Sequence, residues 1–345
     1  MEKKRIECLD IAKGIGIILV IFGHSLNIGG RLFQLIFTFH MPLFFLLSGY
    51  VFKGNESFLY LLKKRAKTLL LPFMGYYCLG LLVTLLLPVW RSGLNLAGIK
   101  RDLLLAYPDA VHNSSIWFLV CLFLVIIIFF IIKKFPVWIQ VLLLTALYSV
   151  GISYSRHRFG FFGYSRIPFA LDVVPIAICF FALGYYFKQV RLIEKMSAVG
   201  TVCFDAFVLG VFLTVIIHKS NGSVNLHGLS FGNPVLYLTG GLAGSFAVIG
   251  ISALIERLGS KGLSWVKKLL VWYGQHSLTI LGTQSILIRL YIVAVKHFRG
   301  TELILYQFPR KHTVICTLLV TVIACPVICF LLDFLKSRIK LTKKR

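Results

Sequence analysis

The sequence predicts an all-α fold, a polytopic membrane protein built as a bundle of about ten transmembrane helices, and three observations lead there. Of its 345 residues 58% are hydrophobic and 14% charged, with a mean hydropathy of +0.86. The apolar residues gather into runs of about 18 or more, the length a helix needs to cross a hydrocarbon core. The Lys and Arg residues, 37 against 12 Asp and Glu, fall mostly in the short stretches between those runs.

The runs place spans at about 9–27, 32–52, 68–90, 115–133, 137–152, 168–188, 199–218, 233–255, 269–296 and 313–335. They read as one integral-membrane domain over 1–345, with no internal repeat and no low-complexity tract. An even number of spans puts both termini on one side. The loops on that side carry 23 Lys and Arg and the opposite loops 12, so the positive-inside rule predicts cytoplasmic termini in the cell membrane. The formal charge of +25 therefore reads as topology and bilayer contact, not as a nucleic-acid surface, since nothing resembles a soluble recognition module. The first span has a basic flank but no small-residue cleavage site, so it reads as a retained helix. The eight cysteines lie mostly inside apolar runs without a CxxC pair, which predicts buried thiols and no metal site.

The first two spans hold the chemistry. Asp10, Lys13, His24 and His40 lie in or at the edge of apolar segments, where a charge costs roughly 2.5–3.5 kcal/mol even on the lenient insertion scale, so they are functional candidates. The eleven-residue step from Lys13 to His24 is close to three helical turns, putting both on one face about 16 Å apart. Asp10, three residues before Lys13, is within reach of an ion pair. Glycines 14, 16 and 23 let a neighbouring helix or a ligand approach the backbone.

The second loop, Lys53 to Lys67, ends in Lys63-Lys64-Arg65-Ala66-Lys67. This cluster reads either as membrane-surface anchor charge or as a clamp for phosphate groups through Arg65 and Lys64, with Lys13 a further cation for such a ligand; for the family resembled below the ligand would be coenzyme A. The fourth span opens on Ser115-Ile116-Trp117-Phe118-Leu119, where Trp117 reads as an interfacial aromatic or as a surface on which an acceptor sugar stacks. Arg156, His157, Arg158 and Arg166 crowd one external loop and suit lipid headgroups or an anionic acceptor. Asp172, four residues into an apolar span, calls for a His or Arg partner. Asn225 to Asn233 (NLHGLSFGN) reads as a turn, or as an acceptor contact through Asn225 and Asn233.

These segments resemble a known family. Lys13, ten residues and His24 look like the basic-x10-His signature of the acyltransferase-3 family of membrane acyltransferases. Phe39-His40-Met41-Pro42-Leu43-Phe44-Phe45-Leu46-Leu47-Ser48-Gly49-Tyr50 is similar to that family's second-helix motif, and the overall likeness is to its fucose 4-O-acetylase-like branch. Arg65 before Leu69-Leu70-Leu71-Pro72-Phe73, the Trp117-Phe118-Leu119 opening, Pro168-x3-Asp172 and Gly274-x-x-Ser277-Leu278 extend the resemblance along nearly the whole chain. Many relatives carry His about seven residues past that Ser, where this chain has Gln284, which cannot shuttle a proton near neutral pH; the catalytic weight then rests on His24 and His40.

The resemblance implies transfer of an acyl group, acetyl above all, from acyl-CoA to a hydroxyl of a cell-surface polysaccharide or a lipid-linked sugar. His24 is the expected general base. His40 is expected to orient the acceptor, relay the proton or steady the oxyanion, and Asp10 and Lys13 to shape the donor end. The alternative from another class is a transporter or flippase for a polar lipid-linked molecule, which also uses intramembrane His and Asp; a purely structural or sensory subunit is the third.

Overall fold

The computed structural model describes residues 6–25, 30–158, 164, 166–259, 262, 264–300, 303 and 309–342. The turn at 27–29, the basic residues 3–5, Lys261 and the last three residues lie outside them. Among the described residues ten helical stretches are long and apolar enough to cross a bilayer. In chain order the main helices are α1 (Glu7–Ser25), α2 (Arg31–Val51), α3 (Phe58–Leu86), α4 (Leu96–Leu105), α5 (Ser114–Ile132), α6 (Val137–Arg156), α7 (Val174–Gln189), α8 (Gly200–Asn221), α9 (Pro234–Leu258), α10 (Ser264–Gln275), α11 (Ser277–Arg299) and α12 (Arg310–Leu331).

Helices α1 and α2 sit at the centre. Both are two-thirds buried, whereas α6 and α8 bury under a quarter of their length and turn the rest outward. The centre is tight because glycines let backbones touch. A Cβ on Gly49 would lie 1.9 Å from the Phe181 carbonyl oxygen, and one on Gly184 2.0 Å from that of Leu46, so α2 and α7 cross with no room for a side chain. Gly14 and Gly274 do the same for α1 and α10, their Cβ positions falling 2.1 Å from the Leu270 oxygen and 1.9 Å from the Asp10 oxygen. Such crossings hold helices by backbone-to-backbone packing, which lipid tails cannot replace.

Three sequence expectations change. The third span begins at Phe58 and ends at Leu86, not 68–90, so Lys63, Lys64, Arg65 and Lys67 stand on a helix and not in a loop. A π-helical turn at Ala66–Leu70 follows Arg65 directly. The ninth span, expected as one helix over 269–296, is two, broken at His276 between α10 and α11. Ser277 then opens a fresh helix beside Lys13, and its hydroxyl returns to the Gly274 carbonyl at 2.8 Å. The segment expected as an external loop from Arg91 to Ser115 contains α4, started by the Asn95 side chain accepting from the Gly98 amide at 2.7 Å.

Candidate active site

Two cavities lie along one face of α1. The lower, about 120 Å³, is bordered by Lys13, Ile17, Phe44, Ser48, Phe118, Ser277 and Leu278. The upper, about 60 Å³, is bordered by His24, Phe37, His40, Ser114, Ser115, Trp117, Asn225 and His227. Both are also bordered by Val20, Met41 and Leu281, so they are neighbours across a shared apolar waist. A water occupies about 30 Å³ of liquid, so these spaces admit a slender chain and a small group, while a nucleotide stays outside. The first turn of α11 and Lys13 make the lower cavity electropositive, because helix N-termini and ammonium groups both favour negative charge.

In the upper cavity His40 has a defined tautomer. Its Nδ1 lies 2.9 Å from the Ile36 carbonyl oxygen; a carbonyl only accepts, so Nδ1 carries the proton and Nε2 presents a lone pair. In the neutral ring of that tautomer Nε2 is an acceptor for a hydroxyl, while steadying an oxyanion is a role for the imidazolium. Phe37 packs edge-on at 4.6 Å and fixes the ring.

His24 Nε2 lies 3.4 Å from Ser115 Oγ. Ser115 in turn accepts from Gln284 Nε2 at 2.6 Å and shares a proton with Ser285 Oγ at 2.5 Å. Ser115 stays in register because Asn113 donates to the Tyr76 and Gly282 carbonyls at 3.2 and 2.9 Å, tying the start of α5 to α3 and α11. The Gln284 position, marked in the sequence for lacking a His, is therefore filled by an amide that orients the hydroxyl facing His24.

Trp117 and Asn225 also reach this cavity, Trp117 only 5% exposed. Asn225 Oδ1 is taken by the Gly228 amide at 2.9 Å, and its backbone pairs both ways with Ser230. Asp172 stands one layer behind. It accepts from the Tyr107 hydroxyl at 2.8 Å and pairs with Arg166, the Arg partner expected from the sequence. Tyr107 packs edge-on against His227, ring centroids 4.5 Å apart, so Asp172 supports the wall without bordering the cavity. Removing the bridging hydroxyl with Tyr107→Phe is expected to cost about 1–3 kcal/mol, since it strips buried Asp172 and Arg166 of a shared partner; a fall in thermal stability checks this.

Other candidates sit elsewhere. Asn233 caps α9, its Oδ1 accepting from the Val235 and Leu236 amides at 3.0 and 3.2 Å, so its side chain is used structurally. Asp10 is buried against the Gly274 crossing and borders neither cavity. Lys64 pairs with Glu56 at the surface. Arg65 borders neither cavity; its Nε is buried without a hydrogen-bond partner among the described residues. Ser115, Ser285 and His227 escaped sequence reasoning, although His227 lies inside the NLHGLSFGN segment singled out there and Ser115 opens the Trp117 motif.

Comparison with known proteins agrees with this architecture. The family described as "Acyltransferase domain" matches residues 6–332, nearly the whole chain. Nodulation protein NolL of Sinorhizobium fredii (strain NBRC 101917 / NGR234) is 28% identical over 197 residues, which is 52% of this chain and 48% of that protein. The match thus spans about half the length of that relative. No solved structure matches the chain. With a family match across the bundle that carries both cavities, the chain belongs to the acyltransferase-3 family, and its described residues hold ten helices long and apolar enough to cross a membrane.

Proposed function

We propose that the protein is an O-acetyltransferase that takes acetyl from acetyl-CoA on the Lys13 side and delivers it to a hydroxyl of a cell-surface polysaccharide or lipid-linked sugar on the His24 side. The observation that carries this reading is the pair of cavities meeting at Val20, Met41 and Leu281, one ending in a cation and a helix N-terminus, the other in imidazoles. The nucleotide of the donor stays at the surface, where Arg65 is available to its phosphates, and the narrow pantetheine arm passes Lys13 and Ser277. The thioester then meets the acceptor at the waist.

In the transfer, the His24 imidazole removes the proton as the acceptor oxygen attacks the thioester carbonyl. The tetrahedral intermediate collapses to the ester and releases the coenzyme A thiolate, which takes up the proton. His40 Nε2, which presents a lone pair, accepts from a second hydroxyl of the acceptor. Ser115, braced by Gln284 and Ser285, keeps the His24 ring turned toward the cavity. The biased loop charges support an orientation with cytoplasmic termini in the cell membrane, which brings the donor from inside and the acceptor from outside.

Membranes holding the protein, given acetyl-CoA labelled in the acetyl group, are expected to release free coenzyme A and to label a glycan. Labelled glycan without coenzyme A release, or neither, overturns the reading, and movement of an unmodified lipid-linked sugar would favour a transporter. Lys13→Met is expected to raise the KM for acetyl-CoA about tenfold, equal to roughly 1.4 kcal/mol of binding, with the acceptor KM unchanged.

A further inference from the structure

The third imidazole of the upper cavity, His227, has no part in the transfer described above. It comes from the segment between α8 and α9, far in sequence from His24 and His40, yet it borders the same space. Resting on the acetyl-transfer reading, we propose that His227 is the acceptor-specificity residue: its imidazole binds a sugar hydroxyl next to the one that reacts, and so selects which ring and which position are acylated.

Packing alone does not account for a histidine here. The ring lies edge-on to Tyr107 and tilted against Trp117, with centroids 4.5 and 5.2 Å apart. A phenylalanine would fill that aromatic slot without a polar atom. Instead Nε2 of His227 is buried and has no hydrogen-bond partner among the described residues. A buried nitrogen left unpaired forfeits its hydration and receives nothing in return, so a ligand atom is the expected partner.

The chemical class of that ligand follows from the charge state. Burial, aided by Arg166 and His24, pushes the His227 imidazole down to about 3, so it is neutral at physiological pH. A neutral imidazole offers one N–H and one lone pair. A hydroxyl, which both donates and accepts, meets Nε2 in either tautomer, whereas an ionised carboxylate or phosphate, which only accepts, needs the N–H there and gains no ion pair from a neutral ring. Asn225, bordering the same cavity, keeps its amide N–H groups for a second contact, because its Oδ1 is already taken by Gly228.

The segment is also held in place, as a reader of stereochemistry must be. Asn225 and Ser230 pair through their backbones at 2.7 and 3.0 Å. Arg158 donates to the Gly228 carbonyl at 2.7 Å, next to His227. Asn221 Oδ1 accepts from the Asn233 amide at 2.6 Å and closes the base of the segment. Behind the ring, Tyr107 is fixed by Asp172 and Arg166. The buried ion pair thus backs the specificity wall.

The test uses the full-length protein in membranes, acetyl-labelled acetyl-CoA, and two soluble acceptors that differ in one hydroxyl, methyl α-D-glucopyranoside and methyl α-D-galactopyranoside, alongside the endogenous glycan. Three variants are compared: His227→Phe, which keeps the packing; His227→Asn, smaller and still polar; and His227→Gln, which restores a donor and an acceptor at similar reach. Wild type is expected to distinguish the two sugars. His227→Phe and His227→Asn are expected to raise the preferred sugar's KM at least tenfold and bring the ratio of the two sugars toward one, with the acetyl-CoA KM unchanged; His227→Gln recovers part of the preference. An unchanged acceptor KM and sugar ratio in the Phe and Asn variants overturns the inference while leaving acetyl transfer standing, as does a fall in kcat alone. Should His227→Phe fail to insert, the Asn variant decides by the same criteria. A wild type that labels no sugar and no glycan and releases no coenzyme A overturns the acetyl-transfer reading, and this inference with it.

Discussion

His24→Ala is expected to reduce acetyl-CoA-dependent labelling of the acceptor by ~10²–10⁴-fold, the range over which a positioned proton acceptor acts, with the protein still inserted and folded. The effect is large because the other groups near Ser115 cannot stand in for the His24 imidazole: the His40 ring is fixed by its bond to the Ile36 carbonyl, and Gln284 cannot take a proton near neutral pH. The fold is expected to tolerate the change because Ser115 keeps Ser285 and Gln284 as partners. His24→Gln separates positioning from proton transfer, since an amide can still meet Ser115 but cannot act as the base; it is expected to be as inactive as the alanine variant. Labelling at the wild-type rate in either variant, measured with equal amounts of inserted protein, removes His24 from the chemistry.

Gly274→Val is expected to destabilise the bundle by about 3 kcal/mol or more, the upper end for forcing atoms into a packed core. Its Cβ would fall 1.9 Å from the Asp10 carbonyl oxygen and 2.7 Å from the carbonyl carbon. Both are backbone atoms, so no side chain can swing aside and α10 must separate from α1. The reciprocal contact of Gly14 on Leu270 then opens as well, and Lys13 and Ser277 move apart at the lower cavity. Gly75→Ala is the matching control: nothing lies within 4 Å of its added carbon, and in a helix interior alanine is favoured by roughly 0.5–1 kcal/mol. Thermal unfolding in detergent should lower the midpoint for Gly274→Val and leave Gly75→Ala level or slightly raised. Equal midpoints for the two would show that the crossing does not hold the site together.

The ten apolar runs were legible from composition and spacing, because crossing a bilayer imposes length and apolarity on each segment separately. The shared face of Lys13 and His24 was legible too, since it depends only on the helical repeat within α1. The break at His276 was not. An apolar run continues through 269–296, and the interruption comes from docking α10 on α1 through Gly274. The role of Asn233 as a cap turned on where α9 starts, a boundary that an apolar pattern marks only to within a few residues. Above all, Ser115, Gln284, Ser285 and His227 meet around His24 from three distant stretches of chain. Periodicity says which way a side chain faces on its own helix; which helices meet, and at what height, is decided by pairs of glycines that let backbones touch, and that pairing exists only in the assembled bundle.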